Sequence, residues 1–125
     1  MTANFDISEF QCHCGCKMPA DVHVNITKLA NQLQILRNKI SKPITINSAY
    51  RCKQHNENIG GVPNSQHVQG KAADIAIKGV APKNVAIIIE DLINKGDMLQ
   101  GGLGVYNRFC HYDIRKTKAR WDYRG

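Results

Sequence analysis

The sequence predicts an α+β fold, in which a small antiparallel sheet has helices packed on one face. Two segments show helical periodicity, and they alternate with short segments in which apolar and polar residues follow a period of two. The last two of these short segments are separated by only two residues, as in a hairpin. A length of 125 residues is close to the commonest domain size, so we expect one domain over residues 1–125.

The first half of the chain supplies one helix and one strand. Residues 1–20 form an irregular, cysteine-rich segment with no periodic pattern. Apolar residues recur at helical spacing from Asn25 to Ile40, which predicts an amphipathic helix. Alternation over residues 44–48 predicts a short strand. Residues 51–71 are rich in Gly, Pro and Asn and predict a long polar loop of the kind that is often functional.

The second half supplies the rest of the sheet. Residues 72–77 read as a buried strand, with Asp74 on one face of it. Residues 82–95 predict a second helix, because a proline opens the segment and a glycine follows it. Residues 101–106 and 109–115 predict the two strands of a hairpin around Asn107-Arg108.

Composition excludes some classes of protein and leaves others open. No run of about 18 apolar residues occurs, so no membrane span is predicted. The formal net charge of +7 would attract any polyanion, and charge alone does not select one. The excess charge crowds the C-terminus, where it is either a solvated face or a patch that binds an anionic surface: Arg115, Lys116, Lys118, Arg120 and Arg124.

Five cysteines leave at least one thiol unpaired within the chain. Three of them alternate along the irregular segment, at Cys12, Cys14 and Cys16. Together with Cys52 they could form a structural zinc site or a disulfide that clamps the N-terminal segment. A catalytic thiol is not expected, because no base is placed to activate one.

Two separated segments carry the residues that suggest chemistry. His67 ends the polar loop, and Asp74 lies in an apolar strand, where a carboxylate is costly to bury unless it is paired or binds a metal. In the last strand His111, Asp113 and Arg115 share a face, since they are two residues apart. If the two strands are neighbours, His67, Asp74 and His111 offer three metal ligands with a fourth position open, as in a catalytic zinc site.

Four motifs, in order, resemble the M15 family of zinc peptidases, which includes D-alanyl-D-alanine carboxypeptidases and phage and bacterial murein peptidases with a hedgehog-like metal site. They are Ser-Ala-Tyr-Arg at 48–51, Ser-Gln-His through Gly-Lys-Ala-Ala-Asp-Ile at 65–75, Gly-Gly-Leu-Gly-Val-Tyr at 101–106 and His-Tyr-Asp-Ile-Arg at 111–115. The resemblance extends over roughly residues 8–121. It implies Zn²⁺ bound by His67, Asp74 and His111, and a role for Arg51 in contacting the substrate's peptide or carboxylate.

One departure from the family's pattern concerns the general base. Some members place an acid three residues before the last histidine, where this chain has Arg108. Asp113 is then our candidate for the base that activates the zinc-bound water. The alternative is that Asp113 orients a ligand histidine.

Other residues have a functional and a structural interpretation. Ser65 and Gln69 would line the substrate groove or hold the loop through local hydrogen bonds. Tyr112 and Trp121 are candidates for a substrate wall, although covering the core is the expectation for Trp121. Arg51 could also make only a surface salt bridge. His23 and His55 are expected at the surface.

These observations predict a zinc metallopeptidase that hydrolyses the stem peptide of bacterial peptidoglycan. The first alternative is a non-catalytic, zinc-stabilised module that binds the cell wall. The second is a basic nucleic-acid-binding protein, which is supported only by the net charge, and we expect no nucleic-acid partner.

We expect a monomer. The first nine residues lack the pattern of a secretion signal, so we expect synthesis in the cytoplasm and action at the wall after phage-type lysis or by another route.

Overall fold

The computed structural model describes residues 1–124; Gly125, the last residue of the predicted domain, lies outside the described residues. After a short 3-10 helix at Ile7–Phe10, three helices and five strands follow. In chain order they are α1 (Ala20–Ile40), β1 (Thr45–Ser48), α2 (Lys53–Asn58), β2 (Ala72–Ala76), α3 (Pro82–Asn94), β3 (Gly102–Val105), β4 (Cys110–Asp113) and β5 (Ala119–Asp122). None of the helices in residues 1–124 is long and apolar enough to cross a membrane.

The five strands form one sheet in the order β1-β2-β4-β3-β5. The first four are antiparallel neighbours, whereas β5 pairs with β3 in parallel. The α+β class is therefore confirmed, with a mixed rather than purely antiparallel sheet. β5 is not among the predicted strands: its four residues, Ala-Arg-Trp-Asp, do alternate, but the segment is short, no residue in it is fully buried, and it follows a basic stretch.

Two helices differ from their predictions. α1 begins at Ala20, five residues before the predicted start, because Val22 extends the buried apolar stripe by one further turn. α2 lies inside the predicted loop. Its sequence, Lys-Gln-His-Asn-Glu-Asn, is polar, and Asn56 is its one buried residue, so it has no apolar periodicity from which a helix could be predicted.

The sheet has one apolar face and one face that carries polar groups. Ala73, Ile75, Leu103 and Tyr112 join the hydrophobic core, which includes the buried residues of α1 and α3. Side chains alternate along a strand, so their neighbours Asp74, His111 and Asp113 occupy the opposite face. Period-two alternation in β2 and β4 thus separates the core from the candidate site.

Strand register brings distant residues into one row across the polar face. Asp74 is opposite His111, His111 is opposite Gly104, and Gly104 is opposite Trp121. Gly104 provides the space for the indole, since a Cβ there would lie 2.2 Å from Trp121 Nε1. The ring of Trp121 consequently reaches that of His111, with 5.1 Å between centroids.

Gly102 accommodates Asp113 in the next row in the same way. The Gly102 amide donates to Asp113 Oδ1 at 2.9 Å, and a Cβ on Gly102 would lie 2.2 Å from Asp113 Oδ2. Any side chain at this position must therefore displace a fully buried carboxylate.

We expect Gly102→Ala to lower the free energy of unfolding by about 1–3 kcal/mol, because overpacking shifts Asp113 away from its donors. The measurement is urea unfolding of both proteins. Lys116→Ala, on an exposed residue, is the control and should stay within about 0.5 kcal/mol of wild type. Equal stability of the glycine variant and wild type would contradict the close approach.

Candidate metal centre and its cavity

Asp74 is the meeting point of the three predicted metal ligands. Its Oδ1 lies 3.2 Å from His67 Nε2 and 3.0 Å from His111 Nδ1. All three residues are buried, and their ligand atoms lie within 4.8 Å of one another. The structure therefore brings together His67 from the loop, Asp74 from β2 and His111 from β4, as the sequence predicts.

In each imidazole, the nitrogen that does not face Asp74 makes a hydrogen bond, and this bond determines the tautomer of the ring. His67 Nδ1 lies 2.7 Å from the Ala49 carbonyl oxygen, which can only accept, so Nδ1 carries the proton. His111 Nε2 lies 2.7 Å from Asp113 Oδ2, which assigns its proton to Nε2. In the neutral rings, His67 Nε2 and His111 Nδ1 are then lone pairs directed at the carboxylate.

This donor set fits a divalent cation. Two imidazole lone pairs and a carboxylate oxygen converge, and acceptors at this distance need a positive charge between them. Two histidines and one carboxylate with an open position form a common catalytic zinc set, whose His ligands use their other nitrogen to bond a carboxylate or a backbone carbonyl. Both of those outer partners, Asp113 and the Ala49 carbonyl, are present.

The same groups set the protonation of the metal-free protein. Burial by itself would raise the pKa of Asp74, but hydrogen bonds with His111 and His67 outweigh it and hold that pKa well below its usual range. Burial would lower the pKa of His111, but its bonds to Asp113 and Asp74 raise it. A proton and a metal ion therefore compete for the same place between His111 and Asp74.

Asp113 is saturated with hydrogen bonds. Its Oδ1 accepts from the amides of Gly102 and Arg115 and from Arg115 Nε, while its Oδ2 accepts from Arg115 Nη2 and from His111. The residue has no exposed surface. Of the two predicted roles, general base and orienting partner, this geometry favours the second, because no lone pair is left to take a proton from a water in the cavity.

Arg51 contacts the metal centre from the loop side. Its Nη2 donates to Asp74 Oδ2 at 3.3 Å, its Nε to Ser48 Oγ at 3.1 Å, and its Nη1 to Asn56 Oδ1 at 3.4 Å. The Asp74 carboxylate is largely buried, so this is not the solvated surface pair considered as an alternative. These contacts use three of the five N–H groups of the guanidinium and leave two for a ligand.

An open cavity of about 460 Å³ lies over the three ligands, and Asp74 is the only carboxylate among the described residues that line it. Its aromatic wall consists of Trp121, Tyr106 and Phe109. The hydroxyl of Tyr106 accepts from Trp121 Nε1 at 2.9 Å, and Arg115 lies over the indole at 5.4 Å. Trp121 therefore forms the wall considered above rather than only a cover for the core.

Of the remaining predicted substrate residues, one lines the cavity and two do not. Ser65 lines the cavity and also accepts from the His67 amide through Oγ. Gln69 is exposed and is not part of the cavity lining, and its hydrogen bonds are made by its backbone: the carbonyl accepts from the Asn25 side chain and the amide donates to the Gln66 carbonyl. Tyr112 as a substrate residue is a wrong prediction, because it lies on the core face of β4, fully buried, and its hydroxyl donates to the Leu99 carbonyl.

Several cavity residues were not predicted, among them Tyr106 and Gln66. Gln66 Oε1 is buried with no donor among the described residues. The Gly-Gly-Leu-Gly-Val-Tyr motif contains Tyr106, and the Ser-Gln-His motif contains Gln66, so both were within the segments that suggested the site. Their roles depend on where the loops turn, which the motifs do not encode.

The positively charged residues near the C-terminus are mostly paired. Arg115 pairs with Asp113, Arg120 with Glu90, and Arg124 with Asp122. Arg108, which occupies the position of an acid in some relatives, is exposed on the turn between β3 and β4 and does not line the cavity.

The family model described as Peptidase M15 matches residues 3–113 of this chain. The chain belongs to the M15 peptidase family. The match extends over both segments that supply His67, Asp74 and His111, so the motifs and the geometry agree on the same part of the molecule.

A similar curated protein is a zinc D-Ala-D-Ala carboxypeptidase from Streptomyces albus G. The two are 44% identical over 83 residues, which is 64% of this chain and 31% of that protein. This M15 chain thus spans about a third of the length of that relative.

We expect Asp113→Asn to weaken zinc binding about 10–100-fold, because the amide no longer holds the His111 proton on Nε2 with a full negative charge. The measurement is competition for zinc with a chromogenic chelator. Asp91→Asn, on an exposed residue paired only with Lys95, should leave the affinity unchanged. If Asp113→Asn keeps its zinc affinity and loses only turnover, the residue is a base and not an orienting group.

Proposed function

We propose that this M15 chain is a zinc peptidase that hydrolyses the peptide of bacterial peptidoglycan. One observation carries the proposal: three potential ligand atoms, from His67, Asp74 and His111, converge at the floor of an open cavity. The name of the Streptomyces relative supports both the metal and the class of substrate.

His67, Asp74 and His111 would hold the ion. When bound, zinc would polarise the scissile carbonyl and lower the pKa of a water in its open position to about 7. Asp113 keeps His111 in the metal-binding tautomer, and the Ala49 carbonyl does the same for His67. The chain thus fixes the orientations of the His67 and His111 rings before the ion binds.

Arg51 and Tyr106 would act on the substrate. The two free N–H groups of Arg51 can bind a carboxylate or the oxygen of the carbonyl under attack. The Tyr106 hydroxyl already accepts from Trp121, so its own proton is available to a substrate oxygen. The wall of Trp121, Tyr106 and Phe109 excludes water from one side of the cavity.

The charge of the cavity favours an anionic peptide. Its lining contains Arg51 and Arg115, and the single carboxylate is a metal ligand. A stem peptide with a free terminal carboxylate suits this balance, so we favour a carboxypeptidase over an endopeptidase.

The first test is zinc content, measured by elemental analysis, combined with digestion of purified peptidoglycan. We expect His67→Ala to lose one equivalent of zinc and all release of peptide products, because a coordinating nitrogen is removed. The control is His23→Ala, which changes an exposed histidine of α1. A wild type without zinc at this site would contradict the metal centre.

A second candidate is a non-catalytic module that binds the wall and keeps zinc for stability. It is favoured by the lack of a free general base in the cavity. Asp113 already accepts five hydrogen bonds, the exposed Arg108 cannot accept a proton, and Asp74 is the one carboxylate that lines the cavity in residues 1–124. Zinc-loaded wild type that binds peptidoglycan and releases no new peptide termini would establish this candidate in place of the enzyme.

We expect Arg51→Ala to lower kcat/KM about 100-fold, because a preorganised donor to the reacting group is lost. Arg108→Ala is the matched arginine control and should retain wild-type activity. Each protein is assayed on a stem peptide with a free terminal carboxylate and on its C-terminal amide. If Arg51 reads the carboxylate, wild type prefers the acid and Arg51→Ala loses that preference; equal rates on both substrates would instead indicate an endopeptidase.

A further inference from the structure

A second group of metal-binding side chains lies outside the cavity, and the proposed peptidase mechanism does not use it. We call it the thiol cluster: Cys12, Cys14, Cys16 and Cys52. Its four Sγ atoms lie within 4.8 Å of one another, with 3.3 Å between those of Cys12 and Cys14 and 3.5 Å between those of Cys14 and Cys52. All four are free thiols in this structure.

We propose that the thiol cluster binds a second, structural zinc ion through four thiolates. A tetrahedral zinc site with Zn–S bonds of about 2.3 Å has neighbouring sulfurs about 3.8 Å apart. Two sulfur pairs of the cluster lie a few tenths of an ångström closer than that, and all four sulfurs lie within 4.8 Å of one another. Tetrahedral coordination by four sulfurs is typical of structural zinc and of iron–sulfur centres. Binding releases the thiol protons to solvent.

A disulfide explains this arrangement less well. It joins two sulfurs at about 2.05 Å, and alternate cysteines such as Cys12 and Cys14, or Cys14 and Cys16, cannot easily bond to each other. Only one bridge to Cys52 could form, and a second bridge would have to join two cysteines within the short segment 12–16. A single metal ion accounts for the convergence of all four.

The backbone around the thiol cluster is arranged for sulfur ligands. The Cys52 amide lies 3.4 Å from Cys12 Sγ, and the His55 amide lies 3.4 Å from Cys52 Sγ. Gly15, with φ of 84°, turns the chain between Cys14 and Cys16, and its amide donates to the Cys12 carbonyl. Donors directed at sulfur stabilise the thiolate form that a metal requires.

The position of Cys52 gives the second ion a consequence for the cavity. Cys52 follows Arg51 directly, so the ion would fasten the N-terminal segment to the loop that presents the guanidinium. One backbone bond already joins these parts, from the Tyr50 amide to the Phe10 carbonyl. Arg51 would thereby be positioned from both sides, by Asp74 within the cavity and by Cys52 outside it; this last step rests on the proposed function.

The test uses the whole chain purified with a reductant, and counts zinc and iron by elemental analysis. We expect two equivalents of zinc in wild type, one in His67→Ala and one in Cys14→Ser. Cobalt substitution adds a signature of the ligands, since thiolate-to-cobalt charge transfer should appear in wild type and in His67→Ala and be lost in Cys14→Ser. Cys110→Ala, which changes the buried cysteine outside the cluster, should keep the band.

Each outcome separates this inference from the peptidase proposal. One equivalent of zinc that is lost in His67→Ala and kept in Cys14→Ser would overturn the second site and leave the first intact. One equivalent lost only in Cys14→Ser would do the reverse. Iron in place of zinc, or a disulfide detected by thiol labelling of protein that holds no metal at the cluster, would also overturn it. Should Cys14→Ser fail to fold, zinc release on titrating the wild-type thiols with a mercurial gives the same count.

The positioning role has its own readout. Cys14→Ser should lower kcat/KM in the wild-type background and have little further effect in the Arg51→Ala background, because both changes act on the same guanidinium. Equal effects in the two backgrounds would show that the ion stabilises the fold without positioning Arg51.

Discussion

The carboxylate of Asp74 is the constraint on which the arrangement of the site depends. It lies in an apolar strand near the middle of the sheet, where an isolated negative charge would be very costly. The charged and imidazole groups that reach its oxygens come from outside its own strand: His67 and Arg51 from the loops on one side, and His111 from β4 on the other. The pairing of β2 with β4 and the path of the 51–71 segment are thus tied to one buried charge. A cation at this point offsets the cost, which the lone pairs of two neutral imidazoles cannot.

The second requirement is empty space, which the alternation of glycines in β3 provides. Gly102 and Gly104 face the polar side of the sheet, opposite Asp113 and His111 respectively. Without a Cβ at Gly104, Trp121 of β5 folds over the strand and reaches His111; without one at Gly102, the Asp113 carboxylate fits beneath the site. The Gly-x-Gly pattern therefore does two things at once: it admits the wall of the cavity and the group that orients a ligand.

What the sequence could predict follows from which interactions are local. Helical periodicity identified α1 and α3, and period-two alternation placed Asp74 and His111 on the polar face of their strands, because both patterns reflect burial within one element. The resemblance of four ordered motifs to a known family then added His67 to these two residues as a metal ligand. The role of Asp113 was left open, since only the structure shows that five hydrogen bonds reach its carboxylate. The short polar α2 and the parallel β5 depend on tertiary pairing and carry little local signal. The position of Tyr112 in the core, by contrast, follows from the same alternation that places His111 on the polar face.

The segment from residue 48 to residue 52 shows how the cavity and the thiol cluster are related mechanically. Four of its five residues make different tertiary contacts: Ala49 fixes the tautomer of His67, Tyr50 bonds to Phe10, Arg51 reaches Asp74, and Cys52 belongs to the thiol cluster. The fifth, Ser48, accepts from the Arg51 side chain within the segment. A short stretch at the end of an edge strand would ordinarily be among the more mobile parts of a domain. Here a metal ion on either side would hold it, so the orientation of one ligand histidine and the position of the substrate-reading arginine depend on the same few residues. A change in the thiol cluster should then alter the metal centre in the cavity through this segment, and the reverse, without any movement of the sheet.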